Sequence, residues 1–159
     1  DYQRSRGLGD VYKRQLLFFL LSIALGSCST YSEEDLNEFD KKIQDWIEKQ
    51  DIQFNKTGSG LYYSFESIGE GSKIKYTDSV KVLFKGSLLD GTIFEIEEKP
   101  LSFAVREVII AWKEILLMSK NKAKIQIIVP PQLGYGNHKL DEIPQNTILF
   151  YEIEIVDIK

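Results

Sequence analysis

The side chains that most often carry catalysis are scarce in this sequence. His138 is the single histidine and Cys28 the single cysteine of 159 residues, so a histidine-rich metal site and an internal disulfide are both excluded. Glu97, Glu98 and Lys99 form a charge run that is typical of a solvated surface. Because phosphate-binding glycine loops and serine or cysteine nucleophile motifs are also missing, the sequence predicts a site without metal, cofactor or covalent chemistry.

Large aromatic side chains are instead concentrated in one part of the chain. Alternating apolar residues predict a strand over 80–85 that carries Phe84, and Leu89-Asp90-Gly91-Thr92 predicts a hairpin turn, since its glycine tolerates positive φ. Phe94 follows on the return strand, and Trp112 lies in an apolar run of helical period. Single aromatic residues of this kind are core residues more often than ligand contacts, so the pattern alone leaves both interpretations open.

The elements around these aromatic residues are mostly strands. Strand-like alternation recurs at residues 61–66, 125–129 and 148–158. Residues 105–117 are apolar nearly all round, which predicts a helix that is covered on every side. A turn follows in which Asn121 tolerates the left-handed conformation, and the long loop 132–144 is of a kind that is usually functional. Strands around one helix, without βαβ alternation, predict an antiparallel α+β domain.

Composition limits the number of domains and the class of partner. With 159 residues and 43% hydrophobic content, the chain has room for one globular domain with additions. Its 20 basic and 24 acidic residues give a net charge of −4, and no basic stripe occurs. We therefore expect no nucleic-acid partner.

The N-terminal part has the pattern of an export signal. Residues 1–12 are polar and lack periodicity, and we expect them to be non-native or disordered. Residues 13–27 begin with two basic residues and continue with an apolar run about half as long as the ~20 residues that span a bilayer, which is typical of a signal peptide. The exit, Leu25-Gly26-Ser27-Cys28, resembles the bacterial lipobox and implies diacylglycerol addition to Cys28; a free or buried cysteine is the alternative. We expect a lipid-anchored protein of the cell envelope, at the outer membrane or on the periplasmic face.

Residues 28–59 are predicted to form a tether and an amphipathic helix. The apolar residues at helical spacing are Leu36, Phe39, Ile43, Trp46 and Ile47. The acidic run at residues 33–35 is typical of a first helical turn, and it also resembles the export signals of some surface lipoproteins. The helix is predicted to pack on the domain that follows, to act as a spacer from the membrane, or to form a dimer interface.

Several segments, in order, resemble the FKBP family of peptidyl-prolyl cis–trans isomerases. They are Gly86–Glu95, Glu107–Trp112, Pro130–Gly136 and Ile143–Ile153. The resemblance covers residues 60–159, the predicted isomerase domain. Several segments that match in the same order are far more specific than any single matching segment. With the lipobox and the acidic helix, the chain also resembles the gliding-motility-associated isomerase lipoproteins.

The resemblance implies a fold and a set of site residues. The family fold is an antiparallel five-stranded half-barrel wrapped around one helix. Trp112 would form the floor of an apolar proline pocket, and its walls and rim would be Phe84, Phe94, Glu95, Leu101, Val108, Ile109 and Tyr151. The Tyr135 hydroxyl and the backbone N–H of Ile143 would donate hydrogen bonds to the carbonyls that flank the proline.

The implied reaction is rotation about an Xaa-Pro amide bond in proline-containing, exported polypeptides. The rotation is opposed by a barrier of ~18–20 kcal/mol, and no bond breaks, so neither a cofactor nor a metal is required. An apolar pocket removes the water that stabilises the planar, charge-separated amide. Hydrogen-bonded carbonyls hold one half of the peptide while the other half turns.

Four positions depart from the family pattern. The family usually has tyrosine at Phe84, aspartate at Glu95, glycine at Ala111 and an aromatic residue at Leu101. The usual tyrosine and aspartate hydrogen-bond to each other, so the exchange removes a donor, and we expect Glu95 to turn towards solvent. We therefore expect proline binding with an altered wall and weakened macrolide inhibitor binding. The alternative is a non-catalytic, membrane-anchored lipoprotein that holds a partner of the gliding or secretion machinery.

Overall fold

The computed structural model describes residues 31–159, and the folded domain runs from Glu33 to Lys159. Residues 1–30, which include the predicted signal peptide and Cys28, lie outside the described part, so what the sequence predicts for them stays a prediction. Among the described helices, none is both long enough and apolar enough to cross a membrane.

The domain consists of one large and one small antiparallel sheet with two α-helices in the described part. In chain order the elements are α1 (Glu33–Ile47), β1 (Asn55–Lys56), β2 (Tyr62–Ser67), β3 (Glu70–Lys73), β4 (Ser79–Leu88), β5 (Ile93–Ala104), α2 (Ile110–Met118), β6 (Lys120–Asn121), β7 (Lys124–Val129) and β8 (Leu149–Ile158), with 3₁₀ turns at Val105–Glu107 and Pro131–Leu133. The large sheet has the order β1-β2-β7-β8-β4-β5, and β3 pairs with β6. Apart from the short β1, the large sheet has five strands, and the predicted antiparallel α+β class is confirmed.

Burial along the central strands follows the alternation in the sequence. In β4, Val80, Val82 and Phe84 are buried, whereas the residues between them are partly exposed. In β8, Tyr151 and Ile153 are buried in the same alternating way. Because successive side chains of a strand point to opposite faces, one face of the sheet becomes apolar and forms the main core with α2.

Helix α2 packs on this apolar face, but it begins later than the helical period predicted. Val105 lies in a 3₁₀ turn, and Val108 and Ile109 have extended backbone, with ψ angles of 168° and 160°. The apolar period therefore spans two backbone conformations. Ile110 and Leu117 are 56% and 37% exposed, so the prediction that the helix is covered on every side was wrong.

Helix α1 packs on the domain through its apolar stripe, which is the first of the three predicted arrangements. Phe39 and Ile43 are buried. The ring centroid of Trp46 lies 5.3 Å from that of Phe150, and the Trp46 Nε1–H donates a 2.8 Å hydrogen bond to the Leu89 carbonyl.

A polar network around Asp40 also attaches α1 to the sheet. The Asp40 carboxylate accepts hydrogen bonds from the Tyr62 hydroxyl at 2.7 Å and from the Gln44 amide at 2.9 Å, and it forms an ion pair with Lys56. Burial acts to raise the pKa of Asp40, but the hydrogen bonds from Lys56, Tyr62 and Gln44 outweigh it and hold that pKa below its usual range.

The small β3–β6 sheet includes the segment around Asn121 that the sequence predicted to be a turn. A Cβ at Gly69 would lie 2.3 Å from the Asn121 carbonyl oxygen, so the close approach of the two strands requires glycine there. The left-handed conformation falls on Lys122 (φ 63°), and the prediction that assigned it to Asn121 was wrong. Asn121 is paired in β6, and its Oδ1 accepts a 3.0 Å hydrogen bond from the Lys122 N–H.

Candidate active site

A cavity of about 320 Å³ opens between the end of β4, β5, β8, the start of α2 and the loop after β7. It is lined by Phe84, Glu95, Phe103, Glu107, Val108, Ile109, Trp112, Tyr135 and Tyr151. Most of these side chains are apolar or aromatic. The polar groups are two carboxylates and two phenol hydroxyls.

Trp112 lies at the centre of the aromatic residues around the cavity. It comes from the first turn of α2, and it is 5% exposed. Its ring centroid lies 5.1 Å from that of Phe84, 5.4 Å from Tyr151 and 6.0 Å from Phe103, with interplanar angles between 72° and 88°. Edge-to-face contacts of this kind are favourable for aromatic pairs, so the rings hold one another in a fixed arrangement.

Gly86 allows the aromatic rings to meet over the sheet. In the strand register it is the partner of Glu95 in β5 and of Tyr151 in β8. A Cβ at this position would lie 2.5 Å from the Phe94 ring and 2.9 Å from the Tyr151 ring. Only glycine leaves room for both rings, which occupy the space that a side chain at this position would fill.

Tyr135 reaches the cavity from a loop that backbone hydrogen bonds hold at both ends. The Gly136 N–H donates to the Pro131 carbonyl at 2.9 Å, and the Gly136 carbonyl accepts from the Asn146 N–H at 2.8 Å. Gly136 has a φ of 60°, which favours glycine at this turn. The neighbouring His138 is exposed and lies outside the cavity lining.

Two of the polar groups have shifted pKa values. Partial burial raises the pKa of Glu95 although much of the residue is exposed, and the nearby charge of Glu97 raises it further. Burial also raises the pKa of the Tyr151 hydroxyl, with further contributions from Tyr135 and Glu95, so that Tyr151 stays protonated throughout the physiological range. The expectation that Glu95 would turn towards solvent was incomplete, because its exposed side chain also lines the cavity.

Comparison with known proteins identifies the family. The sequence model of the FKBP-type peptidyl-prolyl cis–trans isomerases matches residues 70–156, which is more than half of the chain. The chain belongs to this family. The FKBP membership that the ordered motifs indicated is thereby confirmed.

The relatives found include isomerases from bacteria. The FKBP-type peptidyl-prolyl cis–trans isomerase FkpA of Buchnera aphidicola subsp. Schizaphis graminum is 43% identical over 109 residues, covering 66% of this chain and 43% of the relative. FkpA of Escherichia coli strain K12 is 33% identical over 138 residues, covering 84% of this chain and 51% of the relative. The crystal structure of Escherichia coli FkpA superposes with a TM-score of 0.69 at 27% identity, covering 99% of this chain and 75% of that one. This FKBP chain thus spans about half the length of the two FkpA sequences that it matches.

Most, but not all, of the residues that the FKBP motifs indicated are brought together at the cavity. Phe94 lies outside the lining and supports it through an edge-to-face contact with Tyr151, at 5.6 Å between centroids. Leu101 is 37% exposed and also lies outside. Ile143 is 6% exposed and belongs to the core, and its carbonyl accepts a 3.0 Å hydrogen bond from the Leu140 N–H.

Two residues of the lining were missed by sequence reasoning. Phe103 lies two residues after Leu101 on β5, so the period of the strand is a signal that could have found it. Glu107 directly precedes Val108 and ends the 3₁₀ turn, and no periodic pattern marks its position. Within residues 31–159, no group of three or more histidine, cysteine or acidic residues is arranged to hold a metal ion.

Proposed function

We propose that this chain catalyses the cis–trans isomerisation of Xaa-Pro bonds in polypeptides. The observation that carries the proposal is the aromatic cavity of about 320 Å³ with Tyr135 in its lining. Membership of the FKBP family supports the same activity. The reaction breaks no bond, so solvation and positioning are what the protein has to supply.

The proline ring would lie against Trp112, between Phe84 and Tyr151, with Val108 and Ile109 completing the apolar wall. The edge-to-face packing of the three aromatic rings supports this role, because a rigid wall binds a ring without first having to be ordered. We assign Phe94 a supporting role behind Tyr151.

Two hydrogen-bond donors would hold the carbonyls on either side of the proline, and residues at the rim would contact the rest of the peptide. The Tyr135 hydroxyl would donate to one carbonyl, and the backbone N–H of Ile143 to the other. Leu101, which is exposed, would contact the client chain at the rim, and Glu95 would contribute a polar edge to the wall.

Catalysis would follow from the difference between the planar and the twisted amide. The planar amide is polar and loses stabilising water on entering the apolar cavity, whereas the twisted amide is less polar at its carbonyl and loses less. Donors fixed before the reaction stabilise the carbonyl arrangement of the transition state without reorganising. This preference for the twisted form lowers the barrier.

The direct test is an exchange measurement by NMR on a short peptide with one Xaa-Pro bond. Unaided exchange takes tens of seconds or more, so catalysed exchange is readily separated from it. We expect the wild-type protein to accelerate exchange in proportion to its concentration. A rate that stays at the uncatalysed value would show that the chain is not an isomerase.

We further propose that the protein is anchored in the cell envelope through lipidated Cys28, at the outer membrane or on the periplasmic face, where it would act on exported clients. Support comes from the apolar run that ends in Leu25-Gly26-Ser27-Cys28. Cys28→Ser should move the protein from the membrane to the soluble fraction, and continued membrane retention would contradict the anchor.

A role in gliding motility rests on the resemblance of the N-terminal part, and an unaltered spreading of cells that lack the protein would argue against it.

Macrolide inhibitors of FKBPs should bind weakly. Support comes from Phe84 and Glu95 in the lining and from Leu101 outside it, since these three positions depart from the family pattern. Calorimetric titration of a macrolide inhibitor into the wild type and, separately, into the Phe84→Tyr, Glu95→Asp double variant compares the two affinities. Binding that is no weaker in the wild type would contradict the proposal.

A further inference from the structure

The hydroxyl of Tyr151 is a polar group in a wall that has no evident need of one. Tyr151 is 2% exposed, and its ring packs on Trp112, Phe94 and Phe84 at centroid distances of 5.4, 5.6 and 6.4 Å. A phenylalanine would give the same apolar wall. Because a buried hydroxyl is costly unless it finds a partner, its presence here requires an explanation.

The strand register and the cavity lining show which residues surround Tyr151. Tyr151 and Glu95 are the cross-strand partners of Gly86 on its two sides. Partner residues in antiparallel strands have their side chains on the same face, and Gly86 has none, so the Phe94 and Tyr151 rings pack over that position. Tyr135 lines the same cavity from the opposite loop.

Two groups near Tyr151 are therefore candidates for its hydrogen bond, Glu95 and Tyr135. A hydrogen bond from Tyr151 to the Glu95 carboxylate would lower the pKa of that carboxyl group. The pKa of Glu95 is raised instead, by burial and by Glu97. For Tyr151, by contrast, the largest cause of the raised pKa is burial, and Tyr135 is the next. A hydrogen-bond acceptor raises the pKa of its donor in this way. Tyr135 lines the same cavity as Tyr151, and the two pKa shifts support it as the partner.

We propose that the Tyr151 hydroxyl donates a hydrogen bond to the Tyr135 oxygen and so turns the Tyr135 O–H towards the carbonyl of the bound proline peptide. Tyr151 is then a positioning residue that acts through Tyr135, and the inference rests on the proposed isomerase function. The Tyr135 backbone is already held through Gly136, so the rotation of its O–H is the freedom that remains to be fixed. A hydroxyl that accepts one hydrogen bond is also a stronger donor in the next.

The test is a double-mutant cycle of Tyr151→Phe and Tyr135→Phe, read as kcat and KM on an Xaa-Pro peptide. One hydrogen bond predicts that Tyr151→Phe lowers kcat by about 3-fold to 10-fold with little change in KM. In the Tyr135→Phe background the same change should have no further effect, since the group through which Tyr151 acts is gone. A structural role would lower activity by the same factor in both backgrounds.

Tyr62→Phe is the matched control, because Tyr62 is also a buried tyrosine, its hydroxyl donates a hydrogen bond to Asp40, and it does not line the cavity. We expect Tyr62→Phe to lower the melting temperature and leave kcat unchanged. Equal losses from Tyr151→Phe in both backgrounds, or no loss in the wild type, would overturn the role of Tyr151 while leaving the isomerase function intact. A wild type without activity would overturn both.

Discussion

The two tryptophans of the chain lie in aromatic clusters of opposite character. Trp46, on α1, has its Nε1–H bonded to the Leu89 carbonyl and its ring against Phe150. Trp112, on α2, is packed edge-on by Phe84 and lines an open cavity. The indole of Trp46 completes a contact between two elements, whereas the indole of Trp112 faces a cavity that a ligand could enter.

The carboxylates near the two clusters differ in the same way. Asp40, on α1, has three donors around it, and its pKa lies below the usual range. Glu95, at the cavity, has a raised pKa. The α1 contact is thus built from groups that satisfy one another, and the cavity from groups that are left partly unsatisfied. Both clusters contain aromatic rings with a carboxylate nearby, so this difference supports the proposal that the cavity, and not the α1 contact, binds a ligand.

Replacing each tryptophan by alanine tests the comparison most strongly. Trp112→Ala removes the largest side chain of the cavity, and a loss of about 3 kcal/mol in transition-state binding corresponds to about a 100-fold fall in kcat/KM. Its burial also predicts a stability loss of about 3–5 kcal/mol. Activity should therefore be measured at low temperature and divided by the folded fraction from circular dichroism.

Trp46→Ala is the matched variant. It should also lower the melting temperature, because its ring contacts and its hydrogen bond are lost, but kcat/KM per folded molecule should stay within about 2-fold of the wild type. Comparable losses of activity in the two variants would erase the distinction between the clusters.

Gly86→Ala should narrow the cavity without removing any of its residues. The new Cβ would meet the Phe94 ring at 2.5 Å, so the rings have to move, at a cost of about 1–3 kcal/mol. We expect a fall in kcat/KM of about 10-fold, since displaced walls no longer fit the proline ring. Gly58→Ala is the control, because a Cβ there would have nothing within 4 Å. Full activity in Gly86→Ala would mean that the rings adapt.

The fold could be predicted largely because antiparallel strands leave a clear trace in the sequence. Val80, Val82 and Phe84 alternate with less buried neighbours, as predicted, since each strand has one face on the core. The start of α2 could not be predicted by the same reasoning. Val108 and Ile109 are apolar because they line the cavity in extended conformation, and a helical period does not distinguish that cause from burial on a helix.

The site was predicted only as far as its motifs reach. Trp112 and Tyr135 stand in the matching segments, and the fold brings both to the cavity. The hydrogen bond proposed between Tyr151 and Tyr135 depends on the fold, which brings a strand residue and a loop residue to the same cavity. Nothing in the local sequence of Tyr151 indicates it, because strand pairing is decided by the whole sheet.

Acid should weaken the α1 contact through Asp40. Because the folded-state pKa of Asp40 lies below its unfolded value, its contribution is complete above the unfolded pKa and is lost as the pH falls through the folded pKa. Asp40→Asn should lower stability at pH 7 by about 1 kcal/mol, and the difference from the wild type should shrink below about pH 4. Thermal melts of both proteins from pH 7 to pH 3 measure this. Glu38→Gln is the control, since the Glu38–Lys42 pair is exposed and should have little effect.

The contribution of Glu95 to stability should change with pH in the opposite sense, and this is the smallest of the predicted effects. Its folded-state pKa lies above the unfolded value, so the ionised carboxylate costs stability at neutral pH, and the cost disappears as the pH falls through the folded pKa. Glu95→Gln should therefore raise the free energy of unfolding at pH 7, by less than about 1 kcal/mol because the side chain is exposed, and this gain should vanish near pH 4. Glu98→Gln, on the same strand and exposed, should not change the melting temperature. A loss of stability in Glu95→Gln at pH 7 would mean that the carboxylate has a stabilising partner, and the cavity would then be as fully satisfied as the α1 contact.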